Sequence, residues 1–193
     1  MIGLEAAFLA RVAALLERLR IPYMVTGSVA SSHHGRPRAT HDADFIIDPE
    51  ASALSALVTE LTAAGCYVPA TAAREALRRR HQFNVIDTES GLKLDLIIRK
   101  DRPFSVEELR RRVFAEIDAG VRVSLATPED TILSKLEWAK KAGGSEKQLA
   151  DAAGIVEVRG AALDRAYIER WARALGVLAL WRQIDRPRPR RKR

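Results

Sequence analysis

Three aspartates and a Gly-Ser pair are the residues of this 193-residue chain whose types and spacing suit them to act together. Asp42 and Asp44 stand at i and i+2 at the head of the β-rich stretch DADFII. On a strand their side chains leave the same face, with Cα atoms roughly 6.6 Å apart. Two carboxylates that close repel each other and raise one pKa unless a cation lies between them. Asp95 sits in LKLDLII (92–98), among residues whose other face is core. An ionised carboxylate held beside such a strand is costly unless it is paired, hydrogen-bonded or metal-bound. Lys93, two residues away on the same face, is one possible partner. A divalent cation is another, because three carboxylates from two strands make a hard, oxygen-only cage suited to Mg²⁺.

Gly27 and Ser28 add the second half of that chemistry. Glycine lets the backbone approach a ligand closely, and Ser28 offers a hydroxyl and an N–H at a helix start, a position that attracts phosphate oxygens. Placed shortly before Asp42 and Asp44, with Asp95 on a later strand, the pair makes a nucleotide site.

Elements must hold these groups. Leu4, Phe8, Val12, Leu15, Leu16 and Leu19 recur at helical spacing before Pro22, which predicts an amphipathic opening helix. A strand is expected at 23–26, a short helix over 29–34 capped by Ser28, and a strand at 43–48. Asp48 followed by Pro49 reads as the cap of the next helix, with Leu54, Leu57, Val58 and Leu61 as its buried stripe and Gly65 at its end. The segments 82–87 and 92–98 read as an antiparallel hairpin. A helix opened by a capping box from Ser105 to Glu108 comes next, then a strand at 121–125. From Thr127 onward only helices are expected, with Trp138, Trp171 and Trp181 as their packing. The predicted class is α+β: a mixed-sheet core over 1–126, a helical subdomain over 127–185 and a basic tail over 186–193.

Composition limits the alternatives. An apolar content of 47% supplies a real core. Cys66 is the only cysteine, which rules out an internal disulfide and a thiolate-rich zinc site and favours a reducing, cytoplasmic setting. Charged residues interrupt the opening helix, so a membrane span is not expected. The formal charge is +7, yet the final RPRPRRKR holds six basic residues, which leaves 26 basic against 25 acidic groups elsewhere. An Arg-Pro tail buries no apolar surface and is predicted to be disordered. It is either a solubilising terminus or a salt-sensitive contact to RNA.

The pattern Gly27-Ser28, Asp42-Ala43-Asp44 and Asp95 resembles the nucleotidyltransferase superfamily typified by DNA polymerase β, over residues 22–98. Arg38-Ala39-Thr40 leading into the aspartates is similar to the minimal and abortive-infection toxin branch of toxin–antitoxin systems. So are Lys135 in PEDTILSKL and the stretch from Lys147 to Asp151. The resemblance implies a mixed-sheet fold and transfer of a nucleoside monophosphate from an NTP to a hydroxyl of an RNA or protein acceptor. It implies that Asp42 and Asp44 hold two Mg²⁺ about 4 Å apart, with Asp95 completing one site and helping to deprotonate the acceptor. Gly27, Ser28, Arg38 and Lys135 would hold the triphosphate, and an antitoxin protein would be a partner. The alternative is a catalytically inactive nucleotide-binding or antitoxin-like regulatory protein.

Other residues bear on this choice. His41-Asp42 is similar to the pair of HD-type phosphohydrolases, but that fold is helical and Phe45, Ile46 and Ile47 favour a strand. His33, His34 and His41 are candidate metal ligands by type, and the His33-His34 pair is expected either to contact a base or, as is more common, to lie at the surface. Arg36 is expected to touch phosphates or to pair with Asp48 or Glu50, and Arg78, Arg79 and Arg80 to be a solvated cluster at a helix end. Lys135, if not on phosphate, is expected to be solvated.

Overall fold

The computed structural model describes residues 4–37, 42–118 and 120–185, with the backbone alone at Leu4 and Asp42. The predicted disordered tail, Arg38 and His41 lie outside the described residues. The chain divides into two compact units, Met1–Ala30 with Arg38–Thr127, and Ser31–Pro37 with Pro128–Arg193. The class is α+β with a mixed sheet, as the alternation of elements predicts.

In the first unit the opening helix α1 (Leu4–Arg18) leads into β1 (Tyr23–Thr26), which runs without a linker into α2 (Gly27–His34), whose residues from Ser31 onward are counted with the second unit. Strand β2 (Asp42–Ile47), helix α3 (Ala51–Ala63), the two-residue β3 (Cys66–Tyr67), helix α4 (Ala70–Arg79) and the hairpin β4 (Gln82–Asp87) to β5 (Lys93–Ile98) follow. Helix α5 (Pro103–Arg111) and the antiparallel strands β6 (Val113–Asp118) and β7 (Val121–Leu125) complete the unit. The seven strands form one sheet in the order β3-β4-β5-β2-β1-β7-β6. β2 pairs parallel with β5 and β1 parallel with β7, and the remaining pairs are antiparallel.

Strand alternation gives this sheet two unlike faces. Val25, Phe45, Leu96 and Phe83 are neighbours across four strands and are all buried. They share one core with Phe8, Val12 and Leu16 of α1 and with Leu54, Leu57 and Leu61 of α3. On the opposite face Met24, Ile46, Leu109 and Ala126 form a second, smaller apolar cluster. The same face carries the aspartates.

Several local expectations are corrected. Asp48 does not cap α3: its carboxylate accepts from Arg99 Nε at 2.7 Å and Arg80 Nη1 at 3.3 Å, and the helix starts after Glu50. The expected capping box lies inside α5, because Pro103, pre-set for a first helical position, starts that helix earlier. Ser105 Oγ instead accepts from Arg102 Nε at 3.0 Å. Arg80 departs from a solvated cluster: it takes a left-handed conformation at the end of α4 and pairs with Asp48 and Asp101, while Arg78 and Arg79 pair with Glu75. Strand β6 is additional to the expected set. It is the last strand of the sheet; Ala115 and Ile117 pack against the core, but the apolar Phe114 on the opposite, exposed face obscures the period-2 alternation that marks a half-buried strand.

In the second unit α6 (Pro128–Lys141), α7 (Glu146–Arg159), a 3₁₀ turn (Gly160–Ala162), α8 (Arg165–Ala174) and α9 (Leu178–Ile184) follow one another. Glu129 and Asp130, in the first turn of α6, are buried. Asp130 Oδ1 accepts from the Tyr167 hydroxyl at 2.6 Å, and Glu129 Oε1 accepts from the Asp164 N–H at 3.1 Å. These bonds fasten α6 to the start of α8. Trp181 is buried as expected, but Trp138 is exposed with Lys141 over its ring. No helix among the described residues is long and apolar enough to cross a membrane.

Candidate active site

The strand register puts a polar row across the second face of the sheet. Thr26 is opposite Asp44, Asp44 is opposite Asp95, and Asp95 is opposite Asn84. One step along the strands, Asp42 is opposite Lys93. Residues in register on neighbouring strands are about 4.8 Å apart and project from the same face. Asp44 and Asp95, about fifty residues apart in sequence, are thus immediate neighbours, and Asp42 stands one alternation away on the strand of Asp44.

Repulsion between Asp44 and Asp95 is offset by three features. Asn84 Nδ2 donates to Asp95 Oδ1. Lys93 Nζ lies 3.4 Å from the same oxygen, so the lysine partner that the sequence offers is present. Asp44 lies against the first residue of α2, where the positive end of the helix favours a carboxylate. A Cβ on Gly27 would stand 1.9 Å from Asp44 Oδ2, and Gly27 holds φ +63°. Only glycine therefore allows β1 to turn directly into α2 beneath that carboxylate. The helix begins at Gly27, so Ser28 lies inside its first turn and does not cap it.

Lys135 is buried, and its Nζ donates to Asp151 Oδ2 at 2.8 Å. The expectation of a solvated lysine is overturned, because Leu133 and Leu136 place this stretch of α6 in the interior of the second unit. His34 is also buried, against the expectation of a surface position. Its carbonyl accepts from Arg159 Nε at 3.2 Å, and Arg159 Nη2 lies 3.1 Å from its Nδ1. Partial burial, then the nearby Arg159 charge, holds His33 below the usual histidine range. Arg36 pairs with Glu157 at 2.6 Å, not with Asp48 or Glu50.

Among the described residues no three His, Cys, Asp or Glu side chains are grouped as metal ligands. The Asp42 side chain, part of the expected set, lies outside the described residues. Sequence reasoning missed Asn84 and the pairing of Asp151 with Lys135. Alternation in QFNVID already sets Asn84 opposite in facing to Phe83 and Val85, but its partner on β5 depends on register, which alternation does not fix.

No family model matches the sequence, and comparison with curated proteins gives no match. Solved structures do match. ANT(2'')-Ia in complex with adenylyl-2''-tobramycin is 17% identical with a TM-score of 0.58, covering 90% of this chain and 98% of that one. An antigenic nucleotidyltransferase-like protein from Paracoccidioides brasiliensis is 17% identical with a TM-score of 0.57, over 79% and 75% of the two chains. The lincomycin-bound lincosamide adenylyltransferase LnuA is 12% identical with a TM-score of 0.50, over 81% and 98%. The chain has a nucleotidyltransferase-like fold, of the kind found in antibiotic adenylyltransferases.

Proposed function

We propose that the chain is a metal-dependent nucleotidyltransferase that moves a nucleoside monophosphate from an NTP to an acceptor hydroxyl. The observation that carries this reading is the register of Asp44 against Asp95 beside Gly27, at the start of a helix. Hard carboxylate oxygens suit a hard divalent ion such as Mg²⁺, so Asp42, Asp44 and Asp95 are the residues that would hold it. When bound, such an ion neutralises phosphate charge and lowers the pKa of a coordinated hydroxyl.

The chain's own groups divide the remaining work. The N–H groups at the start of α2 and the Ser28 hydroxyl bind phosphate oxygens, as helix N-termini do. Arg38 neutralises the triphosphate, and the resemblance would give Lys135 a share in that task. Lys135 has three N–H donors, of which Asp151 engages one. The Asp95 carboxylate takes the proton of the acceptor hydroxyl as the new oxygen–phosphorus bond forms at the α-phosphate and the bond to pyrophosphate breaks. Asn84, on one oxygen of Asp95, orients the other.

The acceptor reading has two branches. The resemblance to minimal and toxin-type enzymes favours an RNA or protein hydroxyl, in a two-gene system with an antitoxin partner. The adenylyltransferase fold relatives, one in complex with adenylyl-2''-tobramycin and one bound to lincomycin, favour a small hydroxylated molecule. Alpha-labelled NTPs with Mg²⁺ and cell extract, split by filtration into macromolecular and small fractions, separate the branches. Label entering either fraction with wild type but not with Asp44→Ala supports the enzyme. Saturable Mg·NTP binding with no label transferred would establish the inactive nucleotide-binding alternative.

A further inference from the structure

Among the described residues β6 is the last strand of the sheet, so one row of its backbone N–H and C=O groups has no strand partner, next to two apolar side chains. Val113 and Phe114 are 43% and 64% exposed. An open edge with this composition is a template for pairing with another strand, and the residues along it specify which strand. Alternation puts Phe114 and Glu116 on one face, and Arg112, the residue just before β6, has near-polyproline angles (φ −48°, ψ 148°) that let it continue the line of the strand on the same face. The β-bulge between Glu116 and Asp118 ends the regular edge, leaving 112–116 as the pairing length, about 17 Å.

We infer that β6 pairs antiparallel with β6 of a second copy of this chain, extending the sheet across a two-fold axis centred on Phe114. A two-fold perpendicular to a pleated sheet allows only registers in which one residue meets its own copy. Centring on Phe114 puts Phe114 opposite Phe114, Val113 opposite Ala115, and Arg112 opposite Glu116, the last pair made twice. Centring one residue later would put Phe114 opposite Glu116 instead. The basic-apolar-acidic order of the face is complementary to its own reversal, which is the condition a symmetric edge requires, and opposite charges directly across a strand pair attract. Arg112 Nη1 donates to the Leu109 carbonyl at 2.6 Å, and Glu116 Oε1 accepts from the Gly120 N–H at 3.1 Å. Both groups keep further hydrogen-bonding capacity for a partner. The inference does not depend on the functional reading.

Sedimentation equilibrium of the full chain over a concentration series tests it, with thermal melting to verify that each variant folds. Wild type is expected to dimerise, more weakly as salt rises. Phe114→Lys is expected to be monomeric while still unfolding in one cooperative transition, at a melting temperature that no longer depends on protein concentration. Arg112→Glu and Glu116→Arg should each raise the dimer dissociation constant about tenfold, and the double variant should restore it. Phe114→Cys should form a disulfide-linked dimer, Cys66 being buried. A wild type that stays monomeric throughout overturns the inference. So does a dimer indifferent to Phe114→Lys, or one whose two charge reversals fail to compensate.

Discussion

A methyl group on Gly27 would stand 1.9 Å from Asp44 Oδ2, and Gly27 already holds φ +63°. Gly27→Ala therefore has two separate costs. The left-handed backbone alone costs about 1–2 kcal/mol, and the Asp44 carboxylate must move to admit the methyl. Chemical denaturation should report a loss at least that large, and nucleotidyl transfer should fall further than the stability loss explains.

Asp44→Asn and Asp95→Asn keep shape and remove charge. Transfer of alpha-label should drop by about 10²- to 10⁴-fold for Asp95→Asn, the range expected for a lost general base. Mg²⁺ should raise the melting temperature of wild type in the presence of NTP and raise that of Asp44→Asn much less, because an ion stabilises only the state that binds it. Equal Mg²⁺ shifts in the two proteins would remove Asp44 from the metal site.

Lys135 and Asp151 are 6% and 10% exposed at their side chains and 2.8 Å apart. Removing one partner strands a buried charge, so Lys135→Met or Asp151→Leu alone should destabilise by about 3–5 kcal/mol. The double variant should recover most of that loss. Urea unfolding of all four proteins gives the coupling directly. If Lys135 also engages phosphate, the double variant regains stability without regaining transfer.

Asp87 supplies a pH-dependent term remote from the catalytic question. The Ser90 hydroxyl, then the Arg11 guanidinium, donate to its carboxylate and hold its pKa below the usual range. A carboxyl whose folded pKa is depressed stabilises the fold above its unfolded value of about 3.9. That contribution disappears as pH falls through the lowered folded value. Ser90→Ala should cost about 1–2 kcal/mol at pH 7, and its stability curve should converge on wild type as pH falls through the depressed folded value of Asp87.

Much of the candidate site was legible because strand alternation is a local property. DADFII and KLDLII each state that their aspartates share a facing opposite to buried Phe45, Leu94 and Leu96. The strand limits at 23–26 and 82–87 follow from β-branched and aromatic residues between turn signals. Where local signals compete, the reading fails: Asp48 is a good cap by type, but Arg80 and Arg99 engage its carboxylate.

The sequence by itself determined the mixed α+β class, the facing of each aspartate on its strand, and the need for glycine near position 27. Tertiary structure alone decided that Asp44 meets Asp95, that Asn84 attends Asp95, and that Lys135 is buried against Asp151. The physical reason is that facing repeats every two residues along one strand. Register and ion pairing instead join segments far apart in the chain, and are fixed only when the whole apolar face is packed at once.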